Sequence, residues 1–157
     1  MINPHENKVF ATAEYKKSVE ALLGIAQMGT GSSRAAAQVL LSAYNGNCFH
    51  LDVVDLGLLD TKNVYHAFRV LWGRNQNPWM EPQRVIENGD DVFRELWDDY
   101  RRLHVQNRWK SECCDCSGRG WRWVNPDDEN DESKKSCTYC AGRGLLDDIQ
   151  WPGYEDE

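Results

Sequence analysis

The chain has 157 residues, 41% of them hydrophobic, with seven Trp, six Tyr and four Phe, which supplies a packed core and excludes wholesale disorder. Its length suits one ordinary domain, or one domain with a small appendage. A formal net charge of −7 excludes a general polyanion binder unless the basic residues gather in one place, and no apolar run approaches the roughly 18 residues that span a bilayer.

The opening MINPHENKVF lacks a basic stretch followed by an apolar run, so no secretory signal is expected and the chain reads as soluble and cytoplasmic, with no membrane partner. From Phe10 to Met28 the residues Tyr15, Val19, Leu22 and Ala26 recur three and four apart, with Leu23 and Ile25 beside them. That spacing predicts a helix with one buried face. GTGSS interrupts it, and Ser32 or Ser33 is expected to cap a second helix running to about Ala43, with Val39, Leu40 and Ala43 inward. GTGSSR opens a helix but lacks the Lys of a phosphate-binding loop and the third Gly of a dinucleotide fingerprint, so it reads as a turn and cap.

Residues 45–59 are mostly apolar without a clean period and read as a short strand or a packed loop. His50, Asp52, Asp55 and His66 are the candidates for a catalytic cluster, yet no nucleophile motif accompanies them, and no enzyme is expected. Asp60 or Thr61 is expected to cap a third helix, with Val64, Phe68, Leu71 and Trp72 as its stripe and Gly73 as its end. RNQNPWMEP is a loop by its prolines and asparagines. Asp90 then caps a fourth helix lined by Val92, Phe93, Leu96, Trp97, Tyr100 and Leu103. The fold expected is mainly α: a compact helical domain of about four helices over residues 1–107, followed by a zinc-stabilised β-hairpin arm and acidic tail over residues 108–157.

The arm is built on a phrase used twice, CCDCSGRG at 113–120 and CTYCAGRG at 137–144. It sets Cys113 and Cys116 two residues apart, and Cys137 and Cys140 likewise, with twenty residues between the pairs. Two thiolates from one tight turn take half of a tetrahedral metal, and the second pair completes it. Each pair is followed by Gly-Arg-Gly, which lets the backbone fold back over the sulfurs through conformations with positive φ. Closing the intervening loop costs on the order of 3 kcal/mol, against roughly 10 to 16 kcal/mol from a structural zinc, so the metal outweighs it. One structural Zn²⁺ is expected, held by four thiolates with no position open for substrate. Cys48 and Cys114 are left as bystanders.

The repeat C-x-x-C-x-G-x-G resembles the cysteine-rich zinc domain of DnaJ-type co-chaperones, which has four copies where this chain has two, and which implies zinc but no co-chaperone activity here. It is also similar to the zinc hairpin of phage Q-type antitermination proteins, which implies a nucleic-acid-binding regulator. LLGIAQMGTGSSRAAAQVLLSAYNG, FHLDVVDLGLLD and LWDDYRR resemble a family of small uncharacterised bacterial proteins carried on phages and plasmids.

Two functions follow as expectations. The first is a non-enzymatic interaction protein, encoded on a mobile element, that binds a host or element protein and inhibits a defence or nucleic-acid-handling complex. The second is a nucleic-acid-binding regulator using Arg101, Arg102, Arg108, Lys110, Arg119 and Arg122 with Trp121 and Trp123, and Trp109 between them, since cations beside aromatic faces suit phosphate and base. The same arginines would equally offset the −2 charge of a tetrathiolate zinc. PDDENDE and the terminal EDE read as solvated acidic segments.

Overall fold

A computed structural model describes residues 12–107, 110–128, 131 and 133–146; Phe10, Arg108, Trp109 and the acidic tail lie outside them. The protein is mainly α-helical, and it divides into two compact units, residues 1–98 and 99–157.

In the first unit, α1 (Thr12–Ala26) buries Tyr15, Ser18, Val19, Leu22, Ile25 and Ala26, the expected stripe. Gly29, at φ 72°, turns the chain, and α2 (Gly31–Tyr44) begins two or three residues earlier than the serines suggested. Its N-cap is Thr30, not Ser32 or Ser33. Ser33 falls one turn inside the helix, where its hydroxyl accepts from the Thr30 N–H at 2.9 Å and donates to the Ile25 carbonyl at 2.6 Å. It thereby ties the end of α1 to the start of α2. Most of α2 is buried around its circumference, with Ala35, Ala36, Ala37, Val39, Leu40 and Leu41 all inaccessible, as befits the central helix of a small core. The alanines let α1 and the neighbouring turns approach closely.

Residues 45–59 form no strand: 45–52 are a turn and loop packed through Phe49, the second of the two expectations, and a 3₁₀ turn follows. Phe49 is buried, and Val53–Leu58 make a 3₁₀ turn whose N-cap Asp52 accepts from the Val54 N–H. The side-chain amide of Gln38 decides this: it accepts from the Asp52 N–H at 2.7 Å and donates to Asp55 at 2.5 Å, folding the segment onto α2.

α3 (Thr61–Gln76) starts at Asp60, which accepts from the Asn63 N–H at 2.8 Å. It runs past Gly73, and its buried residues are His66, Ala67, Val70 and Gly73. The expected stripe is largely on the other side: Phe68 is 55% and Trp72 47% exposed, and Tyr65 joins them at 63%. The small residues won the inward face because α1 lies close against it. A Cβ at Gly73 would sit 2.4 Å from the Tyr15 ring, and that ring is fixed by its hydroxyl donating to the Met80 carbonyl at 2.9 Å. Bulk belongs outside where the backbone must come in.

α4 (Gly89–Asp99) buries Phe93 and Leu96, and Trp97 stands edge-on to Phe49 with ring centroids 4.7 Å apart. It stops at Asp99, short of Tyr100 and Leu103, because the chain tightens into a 3₁₀ turn over Arg101–Leu103. No helix among the described residues is long and apolar enough to cross a membrane.

The second unit opens on that turn and contains two small antiparallel sheets. β1 (Ser111–Glu112) pairs with β4 (Leu145–Leu146), Ser111 opposite Leu146. β2 (Trp121–Trp123) pairs with β3 (Lys134–Ser136), Trp121 opposite Ser136. The hairpin expected around WRWV is therefore present. Its core is the set of cysteine sulfurs, with Leu146 packed against them.

Candidate metal centre

Each copy of the repeated phrase folds into the same knuckle. In the first, the Gly118 N–H donates to the Cys113 carbonyl at 3.1 Å, and the Gly120 N–H donates to the Cys116 sulfur at 3.1 Å. In the second, Gly142 donates to the Cys137 carbonyl at 2.8 Å and Gly144 to the Cys140 sulfur at 3.1 Å. The backbone angles repeat too: Ser117 and Ala141 have φ of 50° and 51°, Gly118 and Gly142 of 76° and 75°. The two knuckles then exchange bonds, Cys113 N–H to the Gly144 carbonyl and Cys137 N–H to the Gly120 carbonyl, both at 2.9 Å. This reciprocity makes the second glycine of each phrase obligatory. A Cβ at Gly120 would lie 2.4 Å from the Gly142 carbonyl oxygen, and one at Gly144 would lie 2.3 Å from that of Gly118.

The outcome is four buried sulfurs, all within 4.8 Å of one another. Cys113 and Cys137 are 3.9 Å apart and Cys116 and Cys140 3.8 Å. Those separations are nearly twice a disulfide bond of about 2.05 Å, and none of the four cysteines is in a disulfide. A tetrahedron with metal–sulfur bonds of about 2.3 Å has edges of about 3.8 Å. The set can hold a metal ion.

The thiols differ in acidity. Burial raises Cys140, but the Gly144 N–H and the neighbouring thiols outweigh it and hold the group down at about 7. At Cys137 the Cys140 N–H favours the thiolate; burial and the Asp115 carboxylate outweigh that and push it up to about 12. Burial also raises Cys116. A metal must therefore displace protons on entry. Cys114 is exposed and turned away from the cluster, and Cys48 belongs to the helical unit.

The basic and aromatic residues of the neck have work inside this unit. Arg101 donates to the Gly142 carbonyl at 2.6 Å, and Arg102 pairs with Glu112 at 3.4 Å. Arg119 donates to the Cys116 carbonyl and lies 5.0 Å above the Trp121 ring. Arg122 pairs with Asp115 at 2.9 Å. Trp121 donates to Asp99 at 3.2 Å, and Trp123 meets its ring edge-on at 4.8 Å. Lys134 sits over the Trp121 ring at 4.1 Å. Lys110 is exposed, while Arg108 falls outside the described residues. Arg143, not singled out from the sequence, repeats the Arg119 contact by donating to the Cys140 carbonyl at 3.2 Å; the duplicated G-R-G was the signal for it.

The four residues considered for catalysis do not converge. His66 is buried and its Nδ1 is 3.1 Å from the Ser18 hydroxyl on α1. Asp55 pairs with Arg34 at 3.0 Å beside α2, Asp52 caps its 3₁₀ turn, and His50 is exposed.

Fold and cluster together define a mainly helical protein with a small unit whose four buried cysteines could hold a metal ion. The chain belongs to DUF7673, a family of unknown function, whose match covers residues 16–101. The match ends before Cys113, so the cysteine centre lies outside the stretch that the family covers. No curated protein and no solved structure matches the chain, and the DnaJ-type and antitermination likenesses rest on the repeated phrase alone.

Proposed function

We propose that this is a non-enzymatic interaction protein in which one structural zinc orders the C-terminal unit and the helical unit offers α3 to a protein partner. Zinc is favoured because four thiolates in tetrahedral spacing suit a borderline-soft ion, and a closed set leaves no site for water or substrate. The observation that carries the interaction reading is the α3 face. Tyr65, Phe68 and Trp72 stand exposed there beside Arg69 and the half-buried Leu71 around a shallow depression of about 610 Å³. Exposed aromatics gathered on one face mark recognition surfaces more often than solvated ones. α3 also carries Lys62, Arg69 and Arg74 with no Asp or Glu, on a chain of net charge −7, so the complementary partner has acidic groups around an apolar contact. That the partner is a host or mobile-element protein, and that binding inhibits a defence complex, rests on the likeness to phage- and plasmid-borne proteins.

The test has two arms. Metal analysis of protein purified under reducing conditions should give one zinc per chain; none, with the four cysteines present as thiols or disulfides, overturns the metal half. Cross-linked capture from host extract should yield a partner with the intact chain and lose it with Phe68→Glu/Trp72→Glu. Retention of that partner by the double variant rules out α3 as the contact. The alternative, a nucleic-acid-binding regulator, requires the neck arginines to leave their present partners, and it expects affinity to fall steeply between low and physiological salt. Failure to bind duplex or single-stranded probes at low salt removes it.

A further inference from the structure

We infer that Arg101 and Arg102 are positioning residues of the metal centre, with Arg101 the counter-charge that holds its two knuckles together; this rests on reading the four cysteines as a metal site. The two arginines are adjacent in sequence and reach different parts of the centre. The Arg101 guanidinium donates to the Gly142 carbonyl of the second knuckle at 2.6 Å. The same nitrogen lies 2.8 Å from the Cβ position of Gly120 in the first knuckle, and Gly142 is the backbone against which that position presses. One group therefore sits on the seam where the two halves meet. Arg102 lies along Gly118, its Cδ 2.5 Å from the Cβ position there, and pairs with Glu112 on β1.

Both are delivered by the 3₁₀ turn Arg101–Leu103. That turn is fixed by Asn107, whose side chain donates to the Arg101 carbonyl at 2.7 Å, and by the Trp121–Asp99 bond. The electrostatics of the two differ. Arg102 has the Glu112 carboxylate at 3.4 Å, whereas Arg101 has no carboxylate within ion-pair distance among the described residues; the Nε of each is buried without a hydrogen-bond partner. A half-buried cation with only a carbonyl for company is costly unless negative charge stands nearby. Four thiolates around a divalent ion would carry −2, and the Gly142 carbonyl that Arg101 holds lies two residues from Cys140, one of the four. The geometry explains why these arginines precede the cysteines in the chain yet belong with them: the metal-binding unit begins at the turn, not at Cys113.

The experiment uses the full chain loaded with zinc and follows transfer of the metal to a chromogenic chelator. Arg101→Gln keeps a donor on a shorter side chain and removes the charge, and should release zinc about 10- to 100-fold faster than the intact chain, the usual effect of losing an outer-shell partner. Arg101→Lys restores the charge and should recover most of that loss. Trp121→Phe loosens the same turn without touching its charge, and should have the smaller effect. The inference fails if Arg101→Gln releases zinc at the intact rate, if Lys is no better than Gln, or if Trp121→Phe accelerates release as much as Arg101→Gln. An intact chain that holds no zinc, or a Cys137→Ser variant that holds as much as the intact chain, overturns the metal reading itself and is distinguishable from all three.

Discussion

Single positions show where backbone contact dictates residue type. Gly73 lets α3 close on the Tyr15 ring, which cannot swing away because its hydroxyl is engaged with Met80. Gly73→Ala should lower stability by about 1 to 3 kcal/mol, the usual cost of overpacking, read as a shift in the urea midpoint. An unchanged midpoint would mean that the ring moves. His66 makes a second test. Burial, then the Arg69 guanidinium, hold its ring below the ordinary 6.5. The folded chain thus prefers the neutral form, and the unfolded chain takes up the proton first as pH falls. The stability this group contributes is full above about 6.5 and declines as pH drops through the lowered folded value. Urea midpoints at about pH 7.5 and about pH 5.5 should therefore differ more for the intact chain than for His66→Gln.

At the scale of elements, α3 separates packing from presentation. Phe68→Ala on its outer face should change stability by no more than about 0.5 kcal/mol, while Val70→Ala on its inner face should cost about 2 kcal/mol through lost burial and the cavity left behind. Reversal of that order in chemical unfolding would mean that the exposed aromatics are covered in the folded chain. The knuckles behave differently, because each is specified locally. Gly144→Ala meets both a positive φ of 74° and a carbonyl 2.3 Å away, so it should weaken metal retention without disturbing the helices. Zinc stoichiometry and far-ultraviolet circular dichroism together would show this.

For the molecule as a whole, the two units draw on different sources of stability. The helical unit buries apolar residues on each of α1 to α4, and about 100 residues suffice for a core to stand by itself. The second unit has the cysteine cluster with Leu145 and Leu146 beside it, so under the proposed zinc reading its order depends on the metal. Cys137→Ser should abolish tight zinc binding and disorder the knuckles while helicity stays near the intact value. One cooperative transition that removes both together would show a single interdependent core.

The sequence by itself determined what short-range chemistry controls. The stripe of α1, the Asp60 cap, the mainly helical class and the four-cysteine cluster were all legible, because a 3.6-residue period, a capping carboxylate and a duplicated C-x-x-C-x-G-R-G each act over a few residues. Only the tertiary structure decided which face of α3 turned inward. Two stripes were available on that helix, and the close approach of α1 selected the small one, Ala67, Val70 and Gly73, over the aromatic one. The same holds for the neck. Arg101, Arg102, Arg119 and Arg122 read equally well as phosphate contacts or as charge balance, since a cation's role depends on which acceptor the fold brings to it, and here the acceptors are knuckle carbonyls and the carboxylates of Glu112 and Asp115. Partners distant in sequence are chosen by packing, and no local pattern encodes them.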